Sequence, residues 1–467
     1  MKRVLSFDYG ASSGRAIIFT HDGDKITAEE IYRFDNIPVK KDGTLYWNFD
    51  LLVGALREGI AIAAAKGGFD SVGIDTWGVD FGLLDENGEL IDSPVHYRDA
   101  RTDDIPDEVF DVIPKNELYS LTGVQIQPYN TIFQLYYVKK HRPDLYEKAA
   151  KVLLIPDLLA YFLTGKIAAE RTIASTTGLT DAVTKDWSDD IIGRLGFKRS
   201  LFPDIVESGT SYGNLKPEIA EKYGIPSVPV IAVCCHDTAS AIFSVPATGH
   251  PLYLSCGTWS LLGTLTDTPV VTEAGFKANF TNETGYGKTT RYLKNIMGLW
   301  IINECRREWS KDRKLSFSEI VEAAENVGRN EYIIDVDDVM FLKPDDMPEK
   351  VRAYCMKKYG SAPSAVGEIA RCVYESLCVR YKQTIDEIAN ATGATYDEFY
   401  VVGGGCKAEY LCKMIASRCG IKVSAGPVEA TAIGNALVQF IALGAEKNDD
   451  GLKKRIADNF DVKIYKP

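Results

Sequence analysis

One arrangement occurs twice in this chain and constrains its fold more than any other feature: a strand, a glycine turn with small hydroxyl residues, and a second strand. The first copy is "RVLSFDYGASSGRAIIFT", residues 3–20, and the second is "HPLYLSCGTWSLLGTL", residues 250–265. The apolar runs on each side of the turns are typical of strands. A chain of 467 residues is also too long for one ordinary core. We therefore expect a duplicated domain, with a boundary near residues 243–250, where prolines and a glycine interrupt the pattern.

Strands and helices alternate through the rest of the sequence, which predicts the α/β class. "DSVGIDTWGVDFGLLD" is a strand candidate, and the apolar run "SVPVIAVCCHD" predicts a buried strand that ends at Asp237. "GEIARCVYESLCVRYKQTIDEIAN" has its apolar residues at helical spacing and is followed by a stop signal at Gly393. "EFYVVGGGCKAEYLCKMIASRCG" reads as a strand, three glycines and a helix.

Charge and composition exclude several classes of protein. The formal net charge is −12, which makes a general binder of nucleic acid or of an anionic membrane a poor fit. The apolar run in "MKRVLSF" stops at Asp8, too early for a secretory signal, so we expect a cytoplasmic location. Ten cysteines, all from Cys234 onward, form no CxxC pair, which favours reduced, mostly buried thiols over a zinc site. A single disulfide, for example between Cys355 and Cys372, remains open.

The turn "DYGASSGR" has the chemistry of a phosphate site. A glycine turn lets backbone amides approach a phosphate, the serines add hydroxyl donors, and Arg15 can neutralise charge. Asp8 would not contact phosphate but could hold Mg²⁺, directly or through water. The same residues also suit an ordinary hairpin, and this stretch alone does not decide between the two interpretations.

Two more glycine turns carry similar chemistry. Gly257 and Thr258 could hold another side of a phosphate chain, and Gly403, Gly404 and Gly405 would let a ligand lie against the backbone before a helix. A flexible connection is the alternative for the triple glycine. Neither GxxxxGK[ST] nor GxGxxG occurs in the sequence, so a nucleotide would be bound by neither of these common loops.

Three polar stretches could bind or activate a substrate. "HDT" begins at His236 and follows the apolar run, where Asp237 could accept the proton of a hydroxyl. "IDTWGVDF" places Trp77 beside Gly78 and between carboxylates, which suits a sugar but equally a core tryptophan. The charges of "YRDART" are typical of a solvated or ion-paired loop.

In this order the motifs resemble those of the FGGY carbohydrate kinases, and the resemblance covers nearly the whole chain. "FDYGASSGR" and "SCGTWS" are similar to the two phosphate hairpins of the family, and "PDLLAYFLTGKIAAERTIASTTGLTD" and "GGGCKAEYLCKMIASRCGIKVSAGPVEATAIGNA" to its signature regions. The resemblance implies two actin-like (ribonuclease H-like) domains of the actin/Hsp70/hexokinase ATPase fold with an interdomain cleft. Residues 1–244 would bind the sugar and carry the first hairpin, and residues 245–467 would bind the nucleotide.

Within the family, "GIDTWGVDF", "YRDART", "CHDTASA" and "NIMGLW" are similar to the members that act on L-rhamnulose. The implied activity is ATP- and Mg²⁺-dependent phosphorylation of the 1-hydroxyl of L-rhamnulose, in L-rhamnose catabolism, by a monomer or small homo-oligomer. Two alternatives stay open: a kinase for another ketose, such as L-fuculose or D-xylulose, or a nucleotide-dependent sensor or ATPase on the same fold.

The resemblance also assigns site residues. Asp237 matches the catalytic proton acceptor, and Asp8 is the expected Mg²⁺ residue. The expected sugar contacts are Gly78, His236, Asp237, Thr238 and Asn295. The expected nucleotide contacts are Ala11, Ser12, Ser13, Gly14, Arg15, Thr258, Asn303, Gly403 and Gly404. Asn303 departs from the pattern, because such kinases can carry a glutamine there and the shorter amide reaches less far.

Overall fold

The computed structural model describes residues 1–311, 313–448 and 450–467. The strands are β1 (Lys2–Tyr9), β2 (Ser13–His21), β3 (Ile26–Asp35), β4 (Val39–Lys41), β5 (Thr44–Tyr46), β6 (Ser71–Thr76), β7 (Phe81–Leu84), β8 (Lys151–Leu154), β9 (Ala169–Glu170), β10 (Ile205–Val206), β11 (Ser211–Asn214), β12 (Pro229–Ile231), β13 (Leu252–Cys256), β14 (Trp259–Thr266), β15 (Thr281–Thr284), β16 (Thr290–Met297), β17 (Glu398–Val402), β18 (Lys422–Ala425) and β19 (Lys463–Tyr465). The helices are α1 (Phe49–Ala65), α2 (Ile105–Phe110), α3 (Lys115–Thr122), α4 (Thr131–His141), α5 (Pro143–Lys148), α6 (Ile155–Thr164), α7 (Arg171–Ala174), α8 (Asp189–Arg194), α9 (Pro217–Tyr223), α10 (Asp237–Phe243), α11 (Glu273–Lys277), α12 (Trp300–Trp309), α13 (Phe317–Glu325), α14 (Met347–Tyr359), α15 (Val366–Thr392), α16 (Glu409–Cys419), α17 (Ala430–Ala442) and α18 (Asp450–Asn459).

The chain forms two compact units that interleave along the sequence. The first unit comprises Met1–Pro246, Leu265–Tyr292 and Ala430–Asn459. The second comprises Ala247–Thr264, Leu293–Glu429 and Phe460–Pro467. From the sequence we instead expect a single division of the chain, between residues 244 and 245. That division stays a prediction.

The first unit is built on a mixed sheet with the strand order β11-β12-β6-β1-β2-β3. β1 and β2 form the hairpin that the first glycine turn predicts, in antiparallel register. β1 pairs in parallel with β6, and β6 pairs in parallel with β12. β11 closes this side of the sheet antiparallel to β12. The carboxyl ends of β1, β6 and β12 therefore lie at one edge of the sheet.

Glycines let helices approach this sheet closely on both faces. A Cβ on Gly59 of α1 would lie 2.5 Å from the ring of Phe7 in β1. On the other face, a Cβ on Gly73 of β6 would lie 2.4 Å from Oδ1 of Asn435 in α17. The sheet is thus packed between α1 and α17, and its apolar core on the α1 side continues to α6.

The second large sheet repeats the pairing pattern of the first. Its strand order is β15-β16-β14-β13-β17-β18-β19. β13 and β14 form an antiparallel hairpin, β13 pairs in parallel with β17, and β17 pairs in parallel with β18. β19 is antiparallel to β18. The series β2-β1-β6-β12-β11 has the same sequence of pairings, which confirms the duplicated α/β arrangement predicted from the two glycine turns.

Most of one predicted strand is not a strand in the structure. In "SVPVIAVCCHD" only Pro229–Ile231 forms a strand, although the following residues are buried. The backbone N–H of Cys235 donates to Oε2 of Glu170 at 3.1 Å, and that of His236 donates to Oγ1 of Thr172 at 3.2 Å. Side-chain acceptors thus take the N–H groups of Cys235 and His236, and Asp237 is the first residue of α10 rather than the last of a strand.

The helix predicted before Gly393 is confirmed. α15 covers the predicted amphipathic helix and ends at Gly393, whose φ of 70° is the left-handed conformation expected of a glycine cap. The ten cysteines are free thiols, with Cys419 the least buried of them. Within the described ranges, no helix combines the length and the apolar character that crossing a membrane requires.

The contact between α17 and α10 generates a stability prediction. A Cβ on Gly434 would lie 1.9 Å from the backbone oxygen of Ser240. Because neither backbone can yield without disturbing the sheet beneath, we expect Gly434→Ala to lower the free energy of unfolding by roughly 3 kcal/mol. Chemical denaturation measures this loss. Gly54→Ala is the matched control, because Gly54 lies in α1 with open space around it, and it should add roughly 0.5–1 kcal/mol. Equal unfolding midpoints for the two variants would contradict the prediction.

Candidate active site

Two carboxylates lie side by side where β1 and β6 end. Asp8 and Asp75 are directly opposite each other in the parallel register, and both are buried. Asp75 accepts a hydrogen bond from Nδ2 of Asn435 at 2.6 Å. Its other oxygen, Oδ1, is buried without a hydrogen-bond partner among the described residues. Burial, and after it the charge of Asp8, raises the pKa of Asp75 well above the usual aspartate range.

The first glycine turn joins Asp8 to Arg15. The two residues are directly opposite each other across the β1–β2 hairpin. Nη2 of Arg15 donates to Oδ2 of Asp8 at 2.5 Å, and Nε donates to the same oxygen at 3.0 Å. The guanidinium expected to meet a phosphate is therefore held against a carboxylate, so an anion that approaches Arg15 also approaches Asp8.

The turn itself is closed by backbone hydrogen bonds. The N–H of Gly10 donates to the carbonyl of Ser13 at 2.9 Å, and the N–H of Asn36 donates to that of Ser12 at 3.0 Å. Ser12 is exposed, and Ala11 and Ser13 are partly exposed. Gly14 has a packing role, because a Cβ there would lie 2.3 Å from the ring of Phe34. The glycine of this position is thus required by the sheet, whether or not a ligand binds.

Asp237 lies at the start of α10, and its carboxylate lies near those of Asp8 and Asp75. We call these three carboxyl groups the acidic corner. Both the N–H and the hydroxyl of Thr238 donate to its Oδ1, at 2.5 and 3.0 Å. About a third of the Asp237 side chain (32%) is exposed. Burial of the carboxyl raises the pKa of Asp237; the neighbouring His236 lowers it by less, and the charge of Asp8 adds to the rise.

His236 precedes Asp237 and connects it to a buried ion pair. Nε2 of His236 lies 3.5 Å from Oδ1 of Asp237. Nδ1, on the other side of the ring, lies 2.8 Å from Nη2 of Arg291 and 3.3 Å from Oε2 of Glu283. The backbone of His236 is fixed as well, by a parallel bridge to Thr76 at the end of β6. The imidazole is therefore held at Nδ1, while the distance from Nε2 to Asp237 exceeds the usual hydrogen-bond range.

Arg291 and Glu283 were not among the residues that the sequence indicated. Their side chains are 0% and 9% exposed, and Nη2 of Arg291 donates to Oε2 of Glu283 at 2.9 Å. Burial would raise the pKa of Glu283, but the charge of Arg291 and the contact with His236 outweigh it and lower the pKa to about 2. The carboxylate therefore stays ionised. A buried glutamate and arginine on neighbouring strands leave no local pattern that would reveal this pair.

Gly78 lies in the loop that follows β6. A Cβ on Gly78 would lie 3.1 Å from the side chain of Thr176, and Oγ1 of Thr176 accepts the N–H of Val79 at the same distance. Val79 has a φ of 67°, which a β-branched residue rarely adopts. Thr131 helps to hold this conformation by donating its hydroxyl to the Val79 carbonyl at 2.6 Å. The loop thus breaks the long predicted strand into β6 and β7.

Trp77 is a buried core residue, which was the alternative to a sugar contact in the sequence analysis. Its indole N–H donates to Oδ2 of Asp80 at 3.0 Å, and that of Trp47 donates to the same oxygen at 2.6 Å. The rings of Trp47 and Trp77 lie 3.9 Å apart between centroids. Gln134 supplies a donor to Oδ1 at 2.9 Å. Despite these donors, burial raises the pKa of Asp80 to about 6.

The loop "YRDART" is tied to these surroundings rather than freely solvated. Oδ2 of Asp99 accepts the N–H of Leu45 at 2.8 Å, and Arg101 donates to Oε1 of Gln134 at 2.7 Å. The guanidinium of Arg98 lies 5.4 Å from the centre of the Tyr97 ring. Its charged residues therefore have structural partners within the first unit.

The raised pKa of Asp80 generates a prediction about stability and pH. Because the folded state favours the protonated carboxyl, the contribution of Asp80 to stability is greatest below about pH 4 and is lost as the pH rises to about 6. Asp80→Asn stays neutral, so its free energy of unfolding should gain roughly 3 kcal/mol relative to the native chain across that window. Denaturant titrations at several pH values measure the difference.

Asp85, which is partly exposed, provides a control of opposite sign. Backbone hydrogen bonds from Glu89 and Asn87 lower the pKa of Asp85, with the bond from Glu89 the largest cause. Asp85→Asn should therefore lose stability relative to the native chain as the pH rises from 2 to 4. A pH-independent difference for Asp80→Asn would show that folding does not raise the pKa of this carboxyl.

In the second unit, the second glycine turn contacts the start of α12. The N–H groups of Leu299 and Trp300 donate to the carbonyls of Gly257 and Thr258, each at 3.1 Å. Thr258 is exposed at the turn. Asn303 lies in the first turn of α12, partly exposed. The unit thus brings the hairpin turn, Thr258 and the helix that carries Asn303 to one place.

The three glycines after β17 have different structural roles. Gly403 has a φ of 82°, in the region that favours glycine. A Cβ on Gly405 would lie 2.2 Å from Sγ of Cys256, so this residue allows the loop to pack on β13 next to the Gly257 turn. Gly404 is exposed with open space around it. Neither backbone strain nor packing requires a glycine there, which leaves room for a ligand.

The predicted site residues therefore fall into two sets. The first unit carries Asp8, Ala11, Ser12, Ser13, Gly14, Arg15, Gly78, His236, Asp237 and Thr238. The second carries Thr258, Asn295 on β16, Asn303, Gly403 and Gly404. Within the first unit, Asp8, Asp75 and Asp237 lie close enough for their charges to affect one another.

The acidic corner suits a magnesium ion that keeps several waters better than an ion held by protein ligands alone. Among the described residues, no three histidine, cysteine or acidic side chains are arranged to hold a metal ion. Asp8 and Asp75 offer only oxygen ligands, and one of these oxygens, Oδ1 of Asp75, lacks a partner. Mg²⁺ prefers oxygen, keeps several waters and is commonly held by one or two carboxylates together with substrate phosphates. The donor set therefore fits this ion.

Comparison with protein families gives a match to each half of the chain. The model described as FGGY family of carbohydrate kinases, N-terminal domain, matches residues 3–244. The model of the C-terminal domain of the same family matches residues 252–443. The two matches together cover more than half of the sequence.

Curated proteins similar to this chain include rhamnulokinases. The rhamnulokinase of Halalkalibacterium halodurans is 42% identical over 467 residues, which cover 100% of this chain and 99% of that protein. The rhamnulokinase of Bacteroides thetaiotaomicron is 38% identical over 468 residues, covering 100% and 96%.

Solved structures of sugar kinases share the fold. A xylulose kinase from Lactobacillus acidophilus superposes with a TM-score of 0.81 at 17% identity, over 100% of this chain and 94% of that one. Plasmodium falciparum glycerol kinase with ADP gives a TM-score of 0.79 at 16% identity, over 100% and 94%. At these identities the likeness establishes the fold alone.

Proposed function

The chain belongs to the FGGY family of carbohydrate kinases, and we propose that it transfers the γ-phosphoryl group of ATP to the 1-hydroxyl of L-rhamnulose. The products are L-rhamnulose 1-phosphate and ADP. The observation that carries the proposal is the similarity to curated rhamnulokinases at 38–42% identity over 99–100% of this chain. The cytoplasmic location stays a prediction.

Asp237 is the proposed base. Both hydrogen bonds from Thr238 go to its Oδ1, which leaves Oδ2 to accept the proton of the attacking hydroxyl. Its side chain is partly exposed, so a substrate can reach it. Burial raises the pKa of Asp237, which makes its carboxylate a stronger base than an ordinary aspartate.

The sugar is proposed to lie against the loop after β6 and the start of α10. Gly78, His236 and Thr238 belong to these two segments, which the bridge between Thr76 and His236 holds together. Asn295 is the proposed contact from the second unit. Each polar group aimed at a specific hydroxyl rejects sugars that lack it, because the group would otherwise be left unpaired.

The phosphates of ATP are proposed to meet both glycine turns. Residues 11–15 would contribute backbone and hydroxyl donors from the first unit. Thr258, Asn303, Gly403 and Gly404 would contribute from the second, with the open space at Gly404 supporting close approach of the nucleotide. Asp8 would hold Mg²⁺ through water, and the ion would neutralise charge on the phosphate oxygens.

At phosphorus, the reaction forms one bond and breaks one. The oxygen of the 1-hydroxyl attacks the γ-phosphorus, the bond from that phosphorus to the bridging β,γ-oxygen breaks, and ADP leaves. The proton of the hydroxyl passes to Asp237. Because the transition state of phosphoryl transfer is loose, alignment of the hydroxyl and neutralisation of charge provide most of the rate enhancement.

A panel of acceptors tests the substrate. ADP release is measured with Mg-ATP and L-rhamnulose, L-fuculose, D-xylulose or glycerol. We expect kcat/KM for L-rhamnulose to exceed that for each of the others by at least about 100-fold, since the pocket contacts are built for one arrangement of hydroxyls. A larger value for another ketose would reassign the substrate within the family. Equal ADP release without any sugar would point to an ATPase.

Asp237→Asn tests the base. The amide keeps the size of the side chain but cannot take the proton, so we expect kcat to fall by roughly 10²- to 10⁴-fold. The dissociation constant for L-rhamnulose, measured by calorimetry, should change little, because the hydrogen-bonding shape of the pocket is kept. Asp85→Asn, at a partly exposed position of the same unit, should retain full kcat. Parallel loss of binding and turnover would remove Asp237 from the role of base.

A further inference from the structure

A buried guanidinium determines the surroundings of His236. Nη2 of Arg291 lies 2.8 Å from Nδ1 of His236 and donates to Oε2 of Glu283 at 2.9 Å. Nε of Arg291 donates to the carbonyl of Thr284 at 3.2 Å, so the guanidinium is fixed on a second side. With 0% of its side chain exposed, Arg291 has no freedom to turn towards solvent.

We propose that Arg291, balanced by Glu283, is a positioning residue that holds His236 in the tautomer with its proton on Nε2, directed at Asp237. The proposal rests on the role of Asp237 as the base and adds how that base is oriented. Neither Arg291 nor Glu283 contacts the proposed reacting atoms. Both act through the imidazole.

The tautomer follows from the donors available. An arginine side chain offers only N–H donors, so a hydrogen bond of 2.8 Å to Nδ1 requires a lone pair on that nitrogen. The proton of a singly protonated imidazole must then be on Nε2. That nitrogen lies 3.5 Å from Oδ1 of Asp237.

Glu283 supports the opposite tautomer less well. Its Oε2 lies 3.3 Å from Nδ1, longer than the usual range for an N–H···O hydrogen bond, whereas the same oxygen receives Arg291 at 2.9 Å. The carboxylate therefore pairs with the guanidinium. It cancels the buried charge of Arg291, which would otherwise be costly.

The orientation matters for the base next to it. With the proton on Nε2, His236 directs an N–H towards the carboxylate of Asp237 or towards a substrate oxygen beside it. The other tautomer would direct a lone pair at a carboxylate oxygen 3.5 Å away. Arg291 thus prevents a repulsive arrangement at the position where the substrate hydroxyl must lose its proton.

Nuclear magnetic resonance of the full chain, with its histidines labelled with ¹⁵N, tests the tautomer directly. The sequence has five histidines, and the His236→Gln variant assigns the ring signals of His236. We expect the native chain to carry the proton on Nε2. A proton on Nδ1 would overturn the proposal, because Glu283 would then be the partner. No sugar is added, so the result stands even if L-rhamnulose is not the substrate.

Kinetics tests the consequence. The double variant Arg291→Met with Glu283→Gln removes both charges together, so that no buried ion is left unpaired. We expect it to populate the Nδ1–H tautomer and to lower kcat by roughly 100-fold, while KM for ATP changes by less than about twofold. Arg291→Lys keeps a donor and the charge, and it should retain the Nε2–H signal and recover part of kcat. This variant keeps the test decisive if the double variant does not fold.

Arg171→Met is the matched control. The Arg171 side chain is 7% exposed and pairs with Asp186 and Glu207 in the same unit rather than with His236. Its loss should lower the unfolding temperature without changing the His236 signals. A fall in kcat no larger for the double variant than for Arg171→Met would reduce Arg291 to a purely structural role. If the native chain phosphorylates no L-rhamnulose, the proposed substrate is wrong, while the tautomer is still decided by the spectra.

Discussion

The parallel pairing of β1 with β6, continued by the single bridge from Thr76 to His236, decides where the polar groups of the first unit lie. Parallel strands end at the same edge of a sheet, so Asp8 and Asp75 become neighbours. The bridge then brings the start of α10 to that edge, and Asp237 with it. Every proposed role in this unit depends on that alignment, because no two of these three segments are close in the sequence.

Such a concentration of carboxyl groups would be unstable if all of them were buried and charged without partners. The three carboxyl groups have different surroundings. Asp8 is paired with Arg15, while Asp75, bonded to Asn435, has a raised pKa that favours its neutral form. Asp237 stays partly exposed. The three carboxyl groups therefore have different environments. Of the three, the partly exposed Asp237 is the one suited to exchange a proton with a substrate.

The sequence predicted the parts of the fold that depend on local patterns. The two hairpins, α15 with its glycine cap, and the alternation of strands and helices all follow from periodicity and turn chemistry, and the structure confirms them. The strand predicted through "SVPVIAVCCHD" was wrong beyond Ile231, and near its end the side chains of Glu170 and Thr172 accept the backbone N–H groups of Cys235 and His236. A hydrophobic run shows that a segment is buried, but the partner of each N–H is a property of the tertiary structure.

The candidate site was predictable only to the extent that its residues lie in motifs. Asp237 and the glycine turns stand out in the sequence, and their roles stay predictions. Arg291 could not be found, since its partners Glu283 and His236 are separated from it by 8 and 55 residues. Two glycines of the turns also have a packing role that the sequence did not indicate: Gly14 and Gly405 lie against Phe34 and Cys256.

The position of α17 in the first unit has a consequence for how the protein is made. This helix begins at residue 430 of 467 and covers one face of the sheet that residues 2–9 begin. Asn435 and Gln439 reach backbone carbonyls of Phe7 and Leu5 in the first strand. A ribosome therefore synthesises residues 10–429 between the first strand and the helix that covers this face. Until then the nascent sheet exposes Gly73 and its neighbours, and it is during synthesis, more than in the finished enzyme, that this fold depends on protection from aggregation.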